Sequence, residues 1–267
     1  MELDKIITGD SAVVLQSFPP DCIDLTVTSP PYDNLRTYNG FTFDFETIAR
    51  ELFRVTKAGG VVVWVVGDAT VKGSETGTSF RQALFFKECG FNLHDTMIYQ
   101  KDVTAYPDSN RYYQCFEYMF VFSKGKPKTI NMISDRLNKT AGSKVHGRER
   151  KANGGFLEKS GFKNNRLIKK TGVRYNIWKY NVGFGKSYID KFLISHPAIF
   201  PEALANDHII SWSNEGDIVL DPFCGAGTTP KMAKLLKRHY IGIEISQAYV
   251  DIINKRLDGV TDWHFST

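Results

Sequence analysis

The stretch Asp221-Pro222-Phe223-Cys224-Gly225-Ala226-Gly227-Thr228-Thr229 decides the fold of this chain. It follows an apolar run at 218–220 and opens a segment with helical spacing at 228–237, so we predict a turn between a strand and a helix. Its two glycines allow a tight turn and a close approach of the backbone to a ligand, and the N-terminus of the helix favours negative charge. A G-x-G pair alone is equally typical of a purely structural turn.

An acidic residue further along strengthens the case for a nucleotide site. Seventeen residues beyond Gly227, Glu244 ends the next apolar run, where a carboxylate can accept hydrogen bonds from both hydroxyls of an adenosyl ribose. Pro230 stands where a dinucleotide-binding fingerprint has its third glycine. Proline is acceptable in a first helical turn but is unlike a typical NAD site.

Short apolar runs alternate with helical patterns through most of the chain. Strands are expected at 5–8, 23–28, 61–66, 96–99, 118–122, 218–220 and 240–245. Helices are expected at 45–55, 80–89, 201–211, 228–237 and 247–257, with Gly59-Gly60 and Gly90 at helix ends. Because the strand runs are nearly continuously apolar, we expect parallel strands covered on both faces, which is the α/β class with βαβ units.

The positive charge of the chain is concentrated in one segment. Residues 124–186 contain 17 Lys or Arg and 3 Asp or Glu, whereas the whole chain has a net charge of only +5. The aromatic residues interspersed in it are Phe156, Phe162, Tyr175, Trp178 and Tyr180. A disordered linker is one interpretation, but the aromatics and the scarcity of acidic residues favour a binding surface. We therefore predict one domain, 1–123 with 187–267, interrupted by an inserted region at 124–186.

A second stretch, Asp24-Leu25-Thr26-Val27-Thr28-Ser29-Pro30-Pro31-Tyr32, places polar and aromatic groups at the end of a strand. The prolines fix the backbone, so the Ser29 hydroxyl and the Pro30 carbonyl can point as acceptors at one place, with Tyr32 as a flat stacking surface. This arrangement suits the amino group of a planar base. Two acceptors on its hydrogens free the delocalised lone pair for attack on a methyl sulfonium, without a covalent enzyme intermediate. Alone, the stretch is equally typical of a rigid turn.

Together the two stretches resemble a known family. Residues 28–32 are similar to motif IV, and residues 221–229 to motif I, of the amino-directed DNA methyltransferases, which modify cytosine N4 or adenine N6. The order of catalytic motif, basic insert and cofactor motif is that of the family's β class, and the resemblance covers nearly the whole chain. It implies a Rossmann-like, seven-stranded, mostly parallel sheet with one antiparallel strand and helices on both faces. It also implies S-adenosylmethionine as cofactor, double-stranded DNA as partner, and a target-recognition region at 124–186.

The resemblance assigns residues to the site. The catalytic residues are expected to be Ser29, Pro30, Pro31 and Tyr32. The cofactor-binding residues are expected to be Asp10, Phe200, Pro201, Asp221, Pro222, Phe223, Gly225, Gly227, Thr228, Thr229 and Glu244. In this assignment Asp10 lies near the adenine, Glu244 binds the ribose, and the stretch 195–201 resembles motif X, which lines the methionine end. Serine at position 29 is the family's commoner residue for cytosine N4, whereas Asp-Pro-Pro-Tyr usually marks adenine N6, so the sequence favours N4 and leaves N6 open.

Other functions fit the sequence less well. Methylation of cytosine C5 requires a thiolate nucleophile, but no Pro-Cys dipeptide occurs and Cys224 lies within the cofactor stretch. Methylation of RNA or of a protein Gln, and a catalytically silent DNA-binding protein, are more distant alternatives. The loop at 33–38 is a candidate lid, and Tyr112 and Tyr113 are candidates for contacts with DNA or the target base.

Cysteine spacing and hydropathy limit the cellular compartments and the partners that are compatible with the sequence. The four cysteines are far apart and form no C-x-x-C pair, so we expect reduced, mostly buried thiols and neither a disulfide framework nor a metal site. Since no apolar run is long enough to span a bilayer and the N-terminus lacks signal-peptide character, we expect a cytoplasmic protein without a membrane partner. A homodimer and a partner restriction endonuclease are left open.

Overall fold

The computed structural model describes residues 1–31, 43–102, 109–145, 147–158, 166–181 and 201–260. The chain forms two compact units: unit 1 contains Met1–Asn131 and Asn176–Thr267, and unit 2 contains Met132–Tyr175. Unit 2 lies within the basic segment 124–186 and is shorter than that segment. Tyr32, Phe162, the candidate lid at 33–38, and the stretch 195–200 with Phe200 lie outside the described residues.

Helices and strands alternate along unit 1. The helices are α1 Ser11–Gln16, α2 Phe45–Val55, α3 Thr78–Glu88, α4 Glu202–Trp212, α5 Thr228–Leu235 and α6 Gln247–Asp258. The strands of the whole chain are β1 Lys5–Thr8, β2 Ile23–Thr28, β3 Thr56–Val66, β4 Thr70–Val71, β5 Ser74–Glu75, β6 Asn92–Lys101, β7 Phe116–Ser123, β8 Arg136–Leu137, β9 Arg148–Arg150, β10 Phe156–Glu158, β11 Thr171–Gly172, β12 Ile177–Tyr180, β13 Ile218–Asp221 and β14 His239–Glu244. The helices expected from the sequence are all present, with ends shifted by at most two residues.

Eight strands of unit 1 form one sheet in the order β1-β14-β13-β2-β3-β7-β6-β12. Neighbours are parallel except at β7, which pairs antiparallel with both β3 and β6. The predicted α/β class, with a mostly parallel sheet and one antiparallel strand, is confirmed. The strand count is eight rather than seven, because β12 adds to the edge beside β6. This short strand lies among basic residues, so its sequence gives little strand signal.

Aromatic packing joins the centre of the sheet to α3. Trp64 is fully buried, and its Nε1 donates to Gln82 Oε1 at 2.9 Å. Phe86 stacks on Phe122 with 4.6 Å between ring centroids and meets Trp64 edge-on at 5.0 Å. Burial of each such side chain contributes roughly 1.5–3 kcal/mol. The centre of the sheet is therefore tightly packed and supports the loops at its edges.

Helix α2 begins and ends where the sequence predicts. Asp44 caps it by accepting from Thr47 N at 3.2 Å, and its buried residues recur at helical spacing. Gly59 and Gly60 were expected at a helix end, but they lie inside β3. A Cβ on Gly60 would come within 2.9 Å of the Asp24 carbonyl oxygen, so this glycine lets β3 approach β2 closely.

Asparagine side chains hold the two positions of unit 1 that flank unit 2. Asn131 Nδ2 donates to the carbonyl oxygens of Ile210 and Ser213, at 3.1 and 3.2 Å. Asn176 Nδ2 donates to the Thr96 carbonyl oxygen at 3.2 Å. The chain is thus anchored at the end of α4 where it leaves unit 1 and on β6 where it returns.

Unit 2 is built from short antiparallel ladders, in which β8 pairs with β11 and β9 pairs with β10. Phe156 and Tyr175 are exposed, and the Arg136 guanidinium lies over the Tyr175 ring at 4.6 Å. The expectation that the aromatics of the basic segment belong to a binding surface is wrong for Trp178 and Tyr180. They are buried in unit 1, because alternate residues of β12 point into the core.

Candidate active site

The loops that carry the predicted site residues lie at one edge of the sheet. β1, β14, β13 and β2 are parallel neighbours, so their carboxyl ends share this edge. Open α/β sheets bind ligands at the carboxyl edge, in the crevice where the strand order reverses. Here the reversal falls between β13 and β2, which lead into the two stretches identified from the sequence.

Asp221 joins these two stretches. It ends β13, is 5% exposed, and its Oδ1 accepts from Thr28 Oγ1 at 2.7 Å and from Phe223 N at 3.0 Å. Burial raises the pKa of Asp221 to about 6, although the hydrogen bonds that it accepts lower it. Residues 193 positions apart in the chain are thereby in direct contact.

The Ser-Pro-Pro turn begins directly beyond this contact. Thr229 Oγ1 donates to the Val27 carbonyl oxygen at 3.1 Å, so a second hydrogen bond joins α5 to β2. Pro30 is buried, whereas Ser29 and Pro31 are half-buried. Ser29 therefore directly follows a residue that is bonded to the loop at 221–229, which we call the glycine loop. Its role as an acceptor stays a prediction.

Glu244, at the end of β14, is held by backbone N–H groups on either side. Its Oε2 accepts from Gly225 N at 2.8 Å, and its Oε1 accepts from Ser246 N at 3.0 Å. Burial raises the pKa of the Glu244 carboxyl, while these hydrogen bonds lower it. Each carboxylate oxygen has a further lone pair, so Glu244 can still accept two ribose hydroxyls.

Asp10 lies at the same edge, one strand further out. It caps α1 by accepting from a first-turn backbone N–H at 2.8 Å, and its side chain is exposed. Gly9 N donates to the Glu244 carbonyl oxygen at 3.0 Å, and Ser11 Oγ donates to the Pro222 carbonyl oxygen. The structure therefore brings Asp10 next to the strand end that carries Glu244.

The middle of the glycine loop packs onto the core. The Phe223 ring lies 5.4 Å from that of Phe43 and 6.1 Å from that of Trp64. Cys224 Sγ donates to the Asp221 carbonyl oxygen at 3.2 Å, and burial raises the pKa of this thiol well above its usual range. Burial and this hydrogen bond both disfavour the thiolate that a nucleophile requires. The absence of a covalent role for Cys224 stays a prediction.

The glycine loop enters α5 at Gly227, whose φ of 75° is left-handed. A Cβ at this position would come within 2.6 Å of Ile253 on α6, so both the backbone and the packing require glycine. A helix that begins at this edge offers first-turn N–H groups without intrahelical partners. Together with Glu244, these groups fit an adenosyl cofactor with a charged tail.

Sequence reasoning missed a buried cation behind the glycine loop. Arg256 of α6, whose side chain is 1% exposed, donates to the Ala226 carbonyl oxygen at 2.8 Å and to Thr228 Oγ1 at 3.1 Å. Its Nη2 forms an ion pair with Glu202 Oε1 at 2.5 Å. Glu202 directly follows Pro201, the buried N-cap residue of α4 and the end of the stretch that resembles motif X.

All four cysteines are free, but only Cys224 is buried and the other three are half-buried, so the expectation of mostly buried thiols is wrong.

Within the described residues, no group of three or more His, Cys, Asp or Glu could hold a metal ion. No described helix is long and apolar enough to cross a membrane.

The fold and the site together define a class of protein. A Rossmann-like sheet, a glycine loop, a buried carboxylate at the next strand end and a Ser-Pro-Pro turn beside them are the arrangement of methyltransferases that use S-adenosylmethionine. A family model described as DNA methylase, N6_N4_Mtase, matches residues 23–255, and the chain belongs to this family. It is therefore an S-adenosylmethionine-dependent DNA methyltransferase of the N4-cytosine and N6-adenine group.

Similar proteins are known as sequences and as structures. Orphan methyltransferase M.BamHII of Bacillus amyloliquefaciens is 66% identical over 240 residues, which cover 89% of each chain. A DNA modification methylase of Thermus thermophilus, solved in complex with S-adenosyl-L-methionine, is 26% identical with a TM-score of 0.63, over 95% of this chain and 92% of its own. PvuII DNA methyltransferase, described as cytosine-N4-specific, is 21% identical with a TM-score of 0.68, over 97% of this chain and 88% of its own. At that identity the likeness to the PvuII enzyme shows the fold alone.

Proposed function

We propose that this chain methylates cytosine N4 within a short sequence of duplex DNA. The observation that carries the proposal is the position of Ser29, which follows Thr28, a residue hydrogen-bonded to the glycine loop through Asp221. A hydroxyl at this point can accept a hydrogen from an exocyclic amino group. Serine favours cytosine in the family pattern, and adenine N6 is the alternative target.

The proposed transfer needs positioning more than acid or base chemistry. Ser29 Oγ and the Pro30 carbonyl accept the amino hydrogens, which draws the nitrogen toward tetrahedral geometry, while Tyr32 stacks on the base. S-adenosylmethionine, when bound, supplies an electrophilic methyl sulfonium. In this transfer the amino nitrogen would gain the methyl group as the sulfur–carbon bond of the donor breaks. The methylated nitrogen is cationic and acidic, so its proton leaves to solvent without a dedicated base.

We assign the cofactor contacts to residues from three strand ends, those of β1, β13 and β14, and from the two positions that precede α4. Glu244 would accept the ribose hydroxyls, and Asp10 would lie near the adenine. Phe200 and Pro201 would line the methionine end. The glycine-loop residues assigned to the cofactor are Asp221, Pro222, Phe223, Gly225, Gly227, Thr228 and Thr229.

We assign target recognition to the segment 124–186, of which unit 2 is the compact part. Among the residues of unit 2 that the structure describes, the exposed cations are Lys139, Lys144, Arg150, Lys151, Arg166, Lys169 and Lys170. Such cations contact phosphates and set the register of the duplex, while base edges are read in the major groove. The target base would then rotate out of the duplex to reach Ser29. M.BamHII is named an orphan methyltransferase, so we also propose that this chain acts without a dedicated endonuclease.

The target base can be tested directly. We expect duplex DNA from a methylation-deficient host, incubated with the protein and S-adenosylmethionine, to yield N4-methylcytosine when its nucleosides are analysed by mass spectrometry. N6-methyladenine in its place would establish the alternative. We further expect Ser29→Ala and Tyr32→Ala each to lower product formation at least about 100-fold, since a preorganised polar contact at the reacting centre has this size of effect.

A matched control separates the site from general damage. Ser17→Ala removes a hydroxyl that donates to the Val14 carbonyl oxygen at the end of α1, and it should leave activity unchanged. The affinity of Ser29→Ala for S-adenosylmethionine should stay within about twofold of the wild type, because the assigned cofactor contacts remain. Robust methylation by both site variants would contradict the assignment of the turn.

A further inference from the structure

Arg256 is a buried cation that bonds to three residues at the back of the cofactor site, two in the glycine loop and one at the start of α4. We infer that it is a positioning residue for S-adenosylmethionine: its guanidinium fixes the glycine loop and the start of α4, so that both can hold the cofactor. This inference rests on the proposed cofactor contacts of these segments, but not on the identity of the target base.

The first contact fixes one peptide group of the glycine loop. Arg256 Nη1 donates to the Ala226 carbonyl oxygen at 2.8 Å. The N–H of the same peptide group, on Gly227, donates to the Cys224 carbonyl oxygen at 2.7 Å. Both polar groups of the peptide that opens α5 are therefore bonded. A rotation of this peptide, which would redirect the neighbouring N–H groups away from a ligand, would break a charge-assisted hydrogen bond.

The second contact fixes the first residue of α5. Arg256 Nη1 also donates to Thr228 Oγ1 at 3.1 Å. Thr228 is 4% exposed and lies one position before Thr229, whose hydroxyl bonds to β2. The start of α5 is therefore bonded both to α6, through Arg256, and to β2, through Val27.

The third contact reaches α4. Glu202 Oε1 accepts from Arg256 Nη2 at 2.5 Å and from Lys231 Nζ at 2.9 Å, so one carboxylate joins the start of α4 to α5 and α6. The carboxylate also gives this guanidinium, which is 1% exposed, a partner of opposite charge in the interior. Since Glu202 directly follows Pro201, the pair holds the N-cap position of α4 in place.

Arg238 provides a matched contrast. Its guanidinium also binds carbonyl oxygens, those of Leu236 at 2.6 Å and Ser213 at 2.8 Å. It precedes β14, however, and so lies at the amino edge of the sheet, away from the glycine loop. A general loss of stability on Arg→Lys replacement would affect both positions, whereas a loss of cofactor affinity would affect only Arg256.

The test is a comparison of Arg256→Lys with Arg238→Lys. A lysine keeps the charge beside Glu202 but cannot reproduce the forked geometry that bonds Ala226, Thr228 and Glu202 together. We expect Arg256→Lys to raise the Kd for S-adenosylmethionine about tenfold by calorimetry without DNA, as for loss of one hydrogen bond to a charged group. At saturating S-adenosylmethionine, kcat and the KM for DNA should stay within about twofold of the wild type. Arg238→Lys should lower Tm without changing this Kd.

Two outcomes would overturn the inference: an unchanged Kd in folded Arg256→Lys, or an equal rise in Kd for Arg238→Lys. If Arg256→Lys does not fold, Glu202→Gln carries the test, because it keeps the side-chain shape and weakens the ion pairs with Arg256 and Lys231. We expect it to raise the Kd about threefold, and an unchanged Kd would count against the inference. A protein that binds S-adenosylmethionine but produces N6-methyladenine would correct the target base and leave this inference standing.

Discussion

Asp221 sits where the two site stretches meet, and burial and hydrogen bonding act on its carboxyl in opposite directions. Burial raises the pKa to about 6, and the hydrogen bonds from Thr28 and Phe223 lower it. Both of these donors bond to the same oxygen, Oδ1. An asparagine at this position can therefore keep both hydrogen bonds while removing the charge.

Asp221→Asn should change the pH dependence of stability. Between about pH 4 and pH 6, folded wild-type protein retains a proton on Asp221 that the unfolded chain has released, so the contribution of Asp221 to stability falls as pH rises through this window. The variant lacks this loss. From pH 4 to pH 7, the free energy of unfolding of Asp221→Asn should increase by up to about 3 kcal/mol relative to that of the wild type. Urea unfolding at several pH values measures the difference, and parallel profiles for the two proteins would contradict it.

The role of a single residue could be predicted from the sequence where a motif marks it. It could not be predicted where the role depends on tertiary packing. Asp221 and Glu244 follow from their positions at strand ends beside glycines. Arg256 does not, because a Lys255-Arg256 pair near the end of a helix is typical of solvated cations at its negative pole. The available signal was spacing: Arg256 lies three residues after the buried Ile253, on the apolar stripe of α6.

Helices and strands could be predicted where the periodic pattern of apolar residues extends over enough residues to be recognised. Helix α2 was identified to the residue, since its apolar stripe runs over three turns and Asp44 marks its start. Helix α1 has only six residues and shows too little periodicity. Strand β12 was missed because its four residues lie in a basic segment, and only its neighbour β6 makes it part of the sheet. Tertiary pairing of this kind is absent from local sequence.

The start of α5 should be sensitive to any side chain at position 227. Gly227→Ala adds a methyl group that meets Ile253 at 2.6 Å and also forces alanine into a left-handed backbone. Overpacking costs about 1–3 kcal/mol and the backbone strain about 1–2 kcal/mol. We expect both losses in the free energy of unfolding in urea, together with weaker binding of S-adenosylmethionine.

Gly73→Ala is the control for this prediction. Gly73 has a similar φ of 78°, but a Cβ there would meet no heavy atom of the described residues within 4 Å. In Gly73→Ala, the free energy of unfolding should therefore fall only by the cost of the backbone strain, and cofactor binding should be unchanged. Equal losses of stability in the two variants would mean that the contact with α6 is unimportant.

At the scale of the whole molecule, charge is divided between the two units. The segment that contains unit 2 has 17 cationic and 3 acidic residues, so the remainder of the chain is net acidic. This division was predictable from composition. The bounds of unit 2 were not, because they depend on which strands join the large sheet and on where the chain is anchored.

Lys169→Gln with Lys170→Gln should weaken binding to every duplex sequence. Both lysines are exposed in unit 2. If each contacts one phosphate, the slope of log affinity against log salt should become shallower by about 1.8. Fluorescence anisotropy with a labelled duplex over a range of salt concentrations measures this slope.

Lys5→Gln with Lys237→Gln provides the control. These exposed lysines lie at or before the amino ends of β1 and β14, away from the edge that carries the site. The control pair lowers the net charge of the chain by the same amount. An equal change of slope in both double variants would indicate a long-range effect of charge and not a contact made by unit 2.

The anchoring of Asn131 and Asn176 has an evolutionary consequence. Because the chain is anchored at both points, we expect the stretch between them to tolerate replacement by one of another length or composition, since all eight strands of the sheet lie outside it. Under the proposed assignment, recombination at these two codons would give the enzyme a new DNA recognition sequence and leave its catalytic and cofactor-binding residues unchanged. The same two positions are natural crossover points for hybrid enzymes.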